Sequence, residues 1–287
     1  MTDAILQIDH LTKQYPGFLL DDVSFSIPKG TIMGLIGENG AGKSTTIKAA
    51  LDLIKKDSGS VTFWGQELSS SKHLKEDIGV VFDGINFYET LTPTKAGNIS
   101  KAAYRQWDER LYLDFLNRFE LPANKEIKSF SKGMKTKLCL ATALSHAPKL
   151  LILDEATSGL DPVMRDDILD VFLEFVQDEN HSILMSSHIS TDLEKIADYI
   201  TFIHQGKVLF CKTKDELKYR YGIIRCKTKF FNTVDKSEIL ACRKDGYQWD
   251  ILVADKEKAK RRYRDAIVDD VTLDDILLLY VKGDYKE

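Results

Sequence analysis

A glycine-rich loop that directly follows an apolar segment constrains this chain more than any other feature. Residues 31–36 form a nearly continuous apolar run, which is typical of a strand buried on both faces of a parallel sheet. Residues 37–44 then read GENGAGKS, which fits the pattern G-x-x-x-x-G-K-[S/T]. Apolar residues at Ile47, Leu51 and Ile54 follow at helical spacing, and a stop is expected at residues 58–59. This order of strand, loop and helix predicts an α/β fold that binds a nucleoside triphosphate.

Each residue type in the loop suits phosphate binding. Glycines let backbone N–H groups turn inward around the phosphates, in conformations that side chains would obstruct. Lys43 supplies positive charge to the β- and γ-phosphates, and Ser44 offers its hydroxyl to Mg²⁺. The helix that follows directs its positive end at the same anion. The predicted nucleotide-binding residues of the loop are Gly37, Asn39, Gly40, Ala41, Gly42, Lys43, Ser44 and Thr45.

An acidic pair follows a second apolar strand. Residues 150–153 are all Leu or Ile, and Asp154 and Glu155 come next. Ligands of parallel α/β sheets bind beyond the carboxyl ends of the strands, so we expect Asp154 to hold Mg²⁺ opposite Ser44. Glu155 is placed to orient and deprotonate the attacking water as a general base. A solvated acidic turn after a strand is the alternative interpretation.

Composition and charge restrict the class of protein. The 287 residues carry a formal net charge of −4, without the basic surplus of nucleic-acid-binding proteins, so no nucleic-acid partner is expected. The four cysteines form no CxxC pair, which favours reduced thiols in a cytosolic compartment over zinc or disulfides. We find no signal peptide and no run near the roughly 18–20 apolar residues that cross a bilayer. A soluble chain is expected, and a channel for transport would come from another polypeptide.

Changes in pattern along the chain predict two domains. Residues 1–213 are expected to form a nucleotide-binding domain, with a helical insertion over about 84–149. Residues 214–287 are expected to form a small α+β domain with a hairpin turn at Asp245-Gly246. The predicted strands and helices of the small domain are residues 223–229, 239–243, 249–253, 256–266 and 273–280. Ordinary core packing and a regulatory or dimer-stabilising surface are both open for its last helix.

A segment between the two motifs gives the chain a resemblance to the ABC (ATP-binding cassette) ATPases, which extends from about Ile5 to Phe210. Residues 129–134 read SFSKGM and are similar to the family's signature, usually L-S-G-G-Q. Ser131 is also a natural N-cap for a helix that runs to about residue 145. A helix N-terminus with a hydroxyl and Gly133 close by suits a γ-phosphate, although an ordinary capped helix has the same features.

Three smaller matches support the resemblance. Residues 158–161 (SGLD) are similar to the family's D-loop, which contacts the facing subunit, and Asp161 before Pro162 is also an ordinary helix start. His188 matches the family's switch histidine, which contacts the γ-phosphate. Tyr15 matches the aromatic residue that stacks on adenine. A structural histidine and an ordinary tyrosine before Pro-Gly are the alternatives for these two residues.

The resemblance implies ATP hydrolysis coupled to transport. It implies a P-loop NTPase core with an antiparallel β subdomain, and Lys43, Glu155 and His188 as catalytic residues. The family's signature closes over ATP held by a second subunit, so the resemblance implies a dimer of identical chains or of paralogues. It also implies a separate multi-span membrane permease, with this chain on the cytoplasmic face of the cell membrane. The alternatives are a soluble ABC ATPase that acts on a non-membrane machine and a different P-loop enzyme such as a kinase.

The chain departs from the family pattern at two places. Asp83 follows the predicted strand at residues 78–82, where the family usually has glutamine. An ionised aspartate only accepts hydrogen bonds, so Asp83 is expected near Mg²⁺ unless it is an ordinary loop residue. Lys132 and Met134 stand where the signature usually has glycine and glutamine. Lys132 adds positive charge that either aids phosphate binding or is solvated.

Overall fold

The computed structural model of the protein describes residues 4–70, 72–84 and 87–285, so a few residues of both predicted domains lie outside the described part. The strands are β1 (Ala4–Tyr15), β2 (Phe18–Pro28), β3 (Ile32–Ile36), β4 (Ser58–Phe63), β5 (Ile78–Val81), β6 (Leu150–Asp154), β7 (Ser182–Ser187), β8 (Tyr199–His204), β9 (Lys207–Thr213), β10 (Gly222–Lys227), β11 (Ile239–Asp245), β12 (Gln248–Val253), β13 (Ile267–Asp269) and β14 (Asp284–Tyr285). The α-helices are α1 (Lys43–Ala50), α2 (Pro93–Ala103), α3 (Glu109–Arg118), α4 (Lys132–Leu144), α5 (Pro162–Phe175), α6 (Ser190–Ile196), α7 (Thr228–Phe231), α8 (Lys256–Arg262) and α9 (Leu273–Lys282).

A six-stranded sheet forms the centre of the molecule in the order β5-β6-β7-β3-β8-β9. The strands β5, β6, β7, β3 and β8 are parallel, and only β9 at one edge runs antiparallel. Every residue of β3, β6 and β7 is buried, as the apolar runs in the sequence predict for β3 and β6. The ends of β3 and β6 therefore bring the glycine-rich loop and the acidic pair to one edge of this sheet.

A second, antiparallel sheet in the order β2-β1-β4 packs beside the centre. The turn between β1 and β2 contains Gly17 with φ 83°, a left-handed conformation that glycine adopts without steric cost. Apolar residues of this sheet share one hydrophobic cluster with Met33 and Leu35 of β3. The antiparallel β subdomain predicted from the resemblance is present.

In the described part of the chain, the α-helices α2, α3 and α4 lie between β5 and β6. Each begins with a side-chain cap that satisfies an exposed backbone N–H: Thr92 for α2, Asp108 for α3 and Ser131 for α4. Tyr112 of α3 is buried, and its hydroxyl donates a hydrogen bond of 2.8 Å to the Pro93 carbonyl. The expected helical character of this insertion is confirmed.

The last part of the chain forms a five-stranded antiparallel sheet in the order β13-β10-β12-β11-β14, called here the carboxyl-terminal sheet. The hairpin β11–β12 turns at Gly246 as predicted, with φ 58°. Helix α9 joins the sheet to the centre of the molecule, because Ile276 and Leu279 belong to the same hydrophobic cluster as Phe202 of β8. One continuous core therefore runs from the central sheet into this region.

Three predicted element boundaries are wrong, and tertiary contacts explain two of them. Helix α1 ends at Ala50, and Ser58-Gly59 begins β4, where a Cβ on Gly59 would lie 2.4 Å from the His10 carbonyl oxygen of β1. The strand expected at 223–229 ends at Lys227, because Thr228–Phe231 forms α7 and Phe231 stacks on Trp249 at 3.9 Å. Helix α8 ends at Arg262 instead of residue 266. Within residues 4–70, 72–84 and 87–285, no helix combines the length and apolar character needed to span a bilayer.

Candidate nucleotide-binding site

The glycine-rich loop lies between the end of β3 and the start of α1. Gly40 and Gly42 have φ values of 82° and 116°, so the loop requires glycine at both positions. Gly37 is required for space, because a Cβ there would lie 2.2 Å from the carbonyl oxygen of Ile203. The loop is thus held against the end of β8, with the N-terminal N–H groups of α1 directed into it.

Lys43 folds back over this loop. Its side chain is only 5% exposed, and the ammonium donates to the carbonyl oxygens of Gly37 at 2.7 Å and Glu38 at 3.2 Å. The same ammonium lies 3.1 Å from Glu155 Oε1. A buried ammonium is costly without such partners, so these contacts fix a positive charge where a phosphate would bind.

The acidic pair meets the loop as the sequence predicts. Ser44 Oγ donates to Asp154 Oδ1 at 3.0 Å, and Ser186 Oγ of the neighbouring strand β7 donates to the same oxygen at 2.6 Å. Hydroxyl and carboxylate oxygens are the ligands that Mg²⁺ prefers. Ser186 escaped prediction from sequence, because only the pairing of β6 with β7 places it beside Asp154.

Glu155 lies immediately beyond β6 in a left-handed conformation with φ 54°, which is uncommon for a residue with a side chain. Its N–H donates to Ser186 Oγ at 3.1 Å, and its Oε2 lies 2.6 Å from Nδ1 of His188. The structure therefore brings together Lys43, Glu155 and His188. A carboxylate held between an ammonium and an imidazole can accept a proton from a nearby water.

The signature and the D-loop lie against each other. Ser131 Oγ accepts from the Met134 N–H at 3.2 Å, and the Asp161 carboxylate accepts from the Met164 N–H at 3.0 Å, so both residues cap helices. Gly133 lies against α5, because a Cβ there would be 1.9 Å from Met164 Sδ. Within the described part of the chain, neither Ser131 nor Asp161 forms a hydrogen bond or ion pair with residues 43–45. The signature thus packs against the D-loop and the start of α5.

Asp83 and Lys132, which both depart from the family pattern, contact each other. Asp83 Oδ1 lies 2.9 Å from Lys132 Nζ, and both side chains are about half exposed, at 52% and 49%. The lysine stem also approaches Gly159 of the D-loop, where a Cβ would lie 3.4 Å from Lys132 Nζ. The charge that Asp83 adds after β5 is therefore matched by the charge that Lys132 adds in the signature.

Tyr15 ends β1 and is 39% exposed. It pairs in register with Phe18, whose ring would lie 3.2 Å from a Cβ on Gly42. The ammonium of Lys13 lies 5.3 Å from the centroid of the Tyr15 ring. Tyr15 is thus near the glycine-rich loop with much of its ring accessible, which suits an aromatic platform.

A buried ion pair supports the D-loop and was missed from sequence. Arg165 donates to the Leu160 carbonyl at 3.1 Å, and its guanidinium lies 3.8 Å from Asp192 Oδ1. Asp192 is 3% exposed, and burial raises the pKa of its carboxyl above the usual value, although the charge of Arg165 opposes the shift. No local sequence pattern predicts this pair, because α5 and α6 must first pack together.

Comparisons with known proteins agree with this geometry. A sequence profile of the family described as "ABC transporter" matches residues 20–158. The ABC transporter ATP-binding protein YtrB of Bacillus subtilis is 33% identical over 218 residues, which cover 76% of this chain and 75% of the relative. The lantibiotic transport ATP-binding protein SrtF of Streptococcus pyogenes is 37% identical over 214 residues, which cover 74% of this chain and 92% of the relative.

A solved structure, described as that of the ATP-binding subunit of an ABC transporter, superposes with a TM-score of 0.67 at 30% identity. The superposition covers 75% of this chain and 92% of the solved chain. These similarities, together with the glycine-rich loop and the acidic pair that meets it, confirm the P-loop NTPase core and the binding of ATP. The chain therefore belongs to the ABC transporter family and is the ATP-binding and ATP-hydrolysing subunit of such a transporter.

Proposed function

We propose that this ATPase works as a dimer in which two ATP molecules are enclosed between facing chains, and that closure and reopening drive a separate membrane permease. The observation that carries the proposal is that, among the described residues, Ser131 of the signature has no polar contact with residues 43–45 of its own chain. Lys43, Ser44, Asp154, Glu155 and His188 meet at the glycine-rich loop, whereas Ser131 caps α4. A second chain would supply the missing half of each site.

At the glycine-rich loop, each chain would contribute the groups for hydrolysis. Ser44 and Asp154 would hold Mg²⁺ through hard oxygen ligands, and the ion would neutralise charge on the phosphates. Lys43 would exchange its loop carbonyl partners for phosphate oxygens. Tyr15 would stack on the adenine.

Glu155 would perform the proton transfer in this arrangement. Its carboxylate would orient a water toward the γ-phosphorus and accept the proton as the oxygen attacks. His188 holds Oε2 of Glu155 at 2.6 Å, which limits the rotation of the carboxylate. General-base assistance is typically worth about 10²–10⁴-fold in rate, so the loss of Glu155 should spare ATP binding and nearly abolish turnover.

The facing chain would complete the site through its signature and D-loop. Ser131 and the N–H groups at the start of α4 would contact the γ-phosphate, and Gly133 allows close approach. Asp161 would contact the opposite subunit. Asp83 remains a proposed neighbour of Mg²⁺, with Lys132 as its partner within the chain.

A groove in the helical insertion is the proposed docking site for a cytoplasmic helix of the permease. The groove has a volume of about 330 Å³ and lies between β5 and the helical insertion. Its lining is mostly apolar and aromatic, as for grooves that accept an amphipathic helix: Ile78, Val80, Phe82, Phe87, Ser100, Tyr104, Cys139, Thr142, Ala143 and His146. Docking there would place the chain on the cytoplasmic face of the membrane. The permease helix would then lie next to the loop that carries Asp83.

The test is the solution mass of the Glu155→Gln variant with and without Mg-ATP, measured by light scattering. We expect a shift from monomer to dimer on ATP addition, because ATP stays bound and bridges the chains. A second variant, Ser131→Arg in the Glu155→Gln background, should bind ATP as a monomer, because Ser131 belongs to the other half-site.

A Glu155→Gln monomer that binds ATP tightly would contradict a homodimer and leave a paralogue or the permease as the closing partner. A variant that binds no ATP would contradict the roles assigned at the loop. If Ser131→Arg abolishes ATP binding by the monomer, the signature serves its own chain and the composite site is wrong.

A further inference from the structure

The turn between β8 and β9 packs against the glycine-rich loop. The N–H of Gly206 in this turn donates to the Ala41 carbonyl at 2.9 Å. The preceding Ile203 carbonyl is the atom that excludes any side chain at Gly37. A displacement of this turn would therefore displace the loop that binds the phosphates.

His204 links the turn to a loop side chain. It is the last residue of β8 and 5% exposed, and its Nδ1 lies 3.4 Å from Glu38 Oε2. The carbonyl of Glu38 accepts a hydrogen bond from Lys43 Nζ at 3.2 Å. His204 thus contacts the loop residue whose backbone helps to hold the phosphate-binding lysine.

The carboxyl-terminal sheet reaches His204 from the opposite side. Tyr285 of β14 lies edge-on to the His204 ring, with 6.3 Å between centroids. Tyr280 of α9 packs on Tyr285 at 5.6 Å and on Phe202 of β8 at 5.9 Å. Pairing of β14 with β11 attaches Tyr285 to the carboxyl-terminal sheet, because Ala241 and Tyr285 are in register.

The contact between Tyr285 and His204 borders a cleft of about 340 Å³, so Tyr285 is only half-buried. A side chain that borders a cleft has room to shift while the surrounding fold stays intact. The main attachment of the carboxyl-terminal sheet lies elsewhere, in the buried contacts of Ile276 and Leu279. The aromatic contact can therefore be removed without detaching the sheet.

We infer that the carboxyl-terminal sheet positions the glycine-rich loop through Tyr285, His204 and Glu38, and thereby sets the affinity of the ATP site. These are positioning residues, since His204 and Tyr285 act on the loop through Glu38. When the loop is already ordered, less free energy is lost in ordering it as ATP binds. Loosening the loop therefore weakens ATP binding. The proton transfer at Glu155 involves none of the three residues, so kcat for ATP hydrolysis stays the same.

The experiment uses the full chain with Tyr285→Ala, and Tyr285→Phe as the conservative variant that keeps the ring. Tyr247→Ala is the matched control, because Tyr247 is 96% exposed in the β11–β12 turn of the same sheet. The measurements are KM and kcat for ATP hydrolysis, the Kd of a fluorescent ATP analogue, and the melting temperature. For Tyr285→Ala we expect KM and Kd to rise about threefold to tenfold, the range for loss of one aromatic contact, with kcat unchanged. Tyr285→Phe and Tyr247→Ala should behave as the unaltered protein.

A second variant tests the path through the loop. Glu38→Gln should raise Kd by a similar factor, and the double variant with Tyr285→Ala should add little, because both changes break one chain of contacts. Unchanged or tighter ATP binding by Tyr285→Ala overturns the inference, and so does a fall in kcat alone. Fully additive effects in the double variant would overturn the route through Glu38.

Discussion

The nucleotide-binding part of the chain and the carboxyl-terminal sheet use charged residues in opposite ways. At the glycine-rich loop, Lys43 and Asp154 are each about 5% exposed and contact other polar groups of the site. In the carboxyl-terminal sheet and its helices, ion pairs such as Lys260–Glu257 and Arg262–Asp235 lie at the surface. Burial of charged side chains costs free energy of folding. The buried charges at the glycine-rich loop therefore indicate a site selected for ATP chemistry and not for stability.

Gly37 and Gly246, one from each region, also differ. Gly37 has no room for a Cβ, whereas nothing lies within 4 Å of a Cβ on Gly246. The contact between β8 and the loop requires glycine at position 37, whereas only the positive φ of the turn favours it at position 246. Gly246 should therefore tolerate a side chain that Gly37 does not.

The largest expected effect is that of Gly37→Ala. The new Cβ would lie 2.2 Å from a backbone oxygen that cannot rotate away, so we expect a loss of about 3 kcal/mol or more in the free energy of unfolding. ATP affinity should fall as well, because the loop must move. Urea unfolding and ATP titration measure both quantities.

Gly246→Ala is the matched comparison for this substitution. Its φ of 58° costs alanine about 1 kcal/mol, and ATP affinity should stay unchanged. Equal losses of stability in the two variants would contradict the contrast between the regions.

A smaller effect is expected from the ion pair below the D-loop. Arg165→Met leaves the buried Asp192 carboxylate without its closest cation, so we expect a loss of about 2–3 kcal/mol in the free energy of unfolding. Adding Asp192→Asn should restore part of it, because the amide carries no charge. Lys260→Ala, which breaks an exposed pair, should change stability by no more than about 0.5 kcal/mol. Similar losses for Arg165→Met and Lys260→Ala would show that burial of the pair does not matter.

The core of the site follows from sequence because its determinants are local. The loop at residues 37–44 sits between β3 and α1, and Asp154 ends the buried strand β6, so strand order alone brings them together. The capping roles of Ser131 and Asp161 follow in the same way from the residues next to them. Family membership, the P-loop core and ATP hydrolysis were all predicted and are confirmed. The division at residue 213 and the roles of the individual site residues stay predictions.

The rest of the site depends on packing between distant segments. Ser186 reaches Asp154 only through strand pairing, and Lys132 reaches Asp83 only after α4 packs beside β5. The role of Ser58-Gly59 was mispredicted for the same reason, because these residues begin β4, which pairs with β1. Spacing along the chain carries no information about such contacts.

The smallest expected effect concerns the protonation of histidine, and all six histidines precede the carboxyl-terminal sheet. His146 is 2% exposed and stacks on Tyr104 at 4.1 Å, and burial lowers its pKa below the usual 6.5. Between this lowered pKa and the usual 6.5, the unfolded chain binds a proton that the folded one does not. The free energy of unfolding should therefore fall with decreasing pH, by at most about 1.4 kcal/mol per pH unit for this one proton.

His146→Gln should remove this contribution, so its loss of stability between pH 7.5 and pH 5.5 should be smaller than that of the unaltered protein in urea unfolding. His10→Gln is the control, because the His10 side chain is 78% exposed, whereas His146 is buried. An equal acid-dependent loss in the His146→Gln variant and the unaltered protein would contradict the assignment. A flatter pH dependence for His146→Gln alone would place part of the acid sensitivity in the proposed permease groove, since His146 lines it.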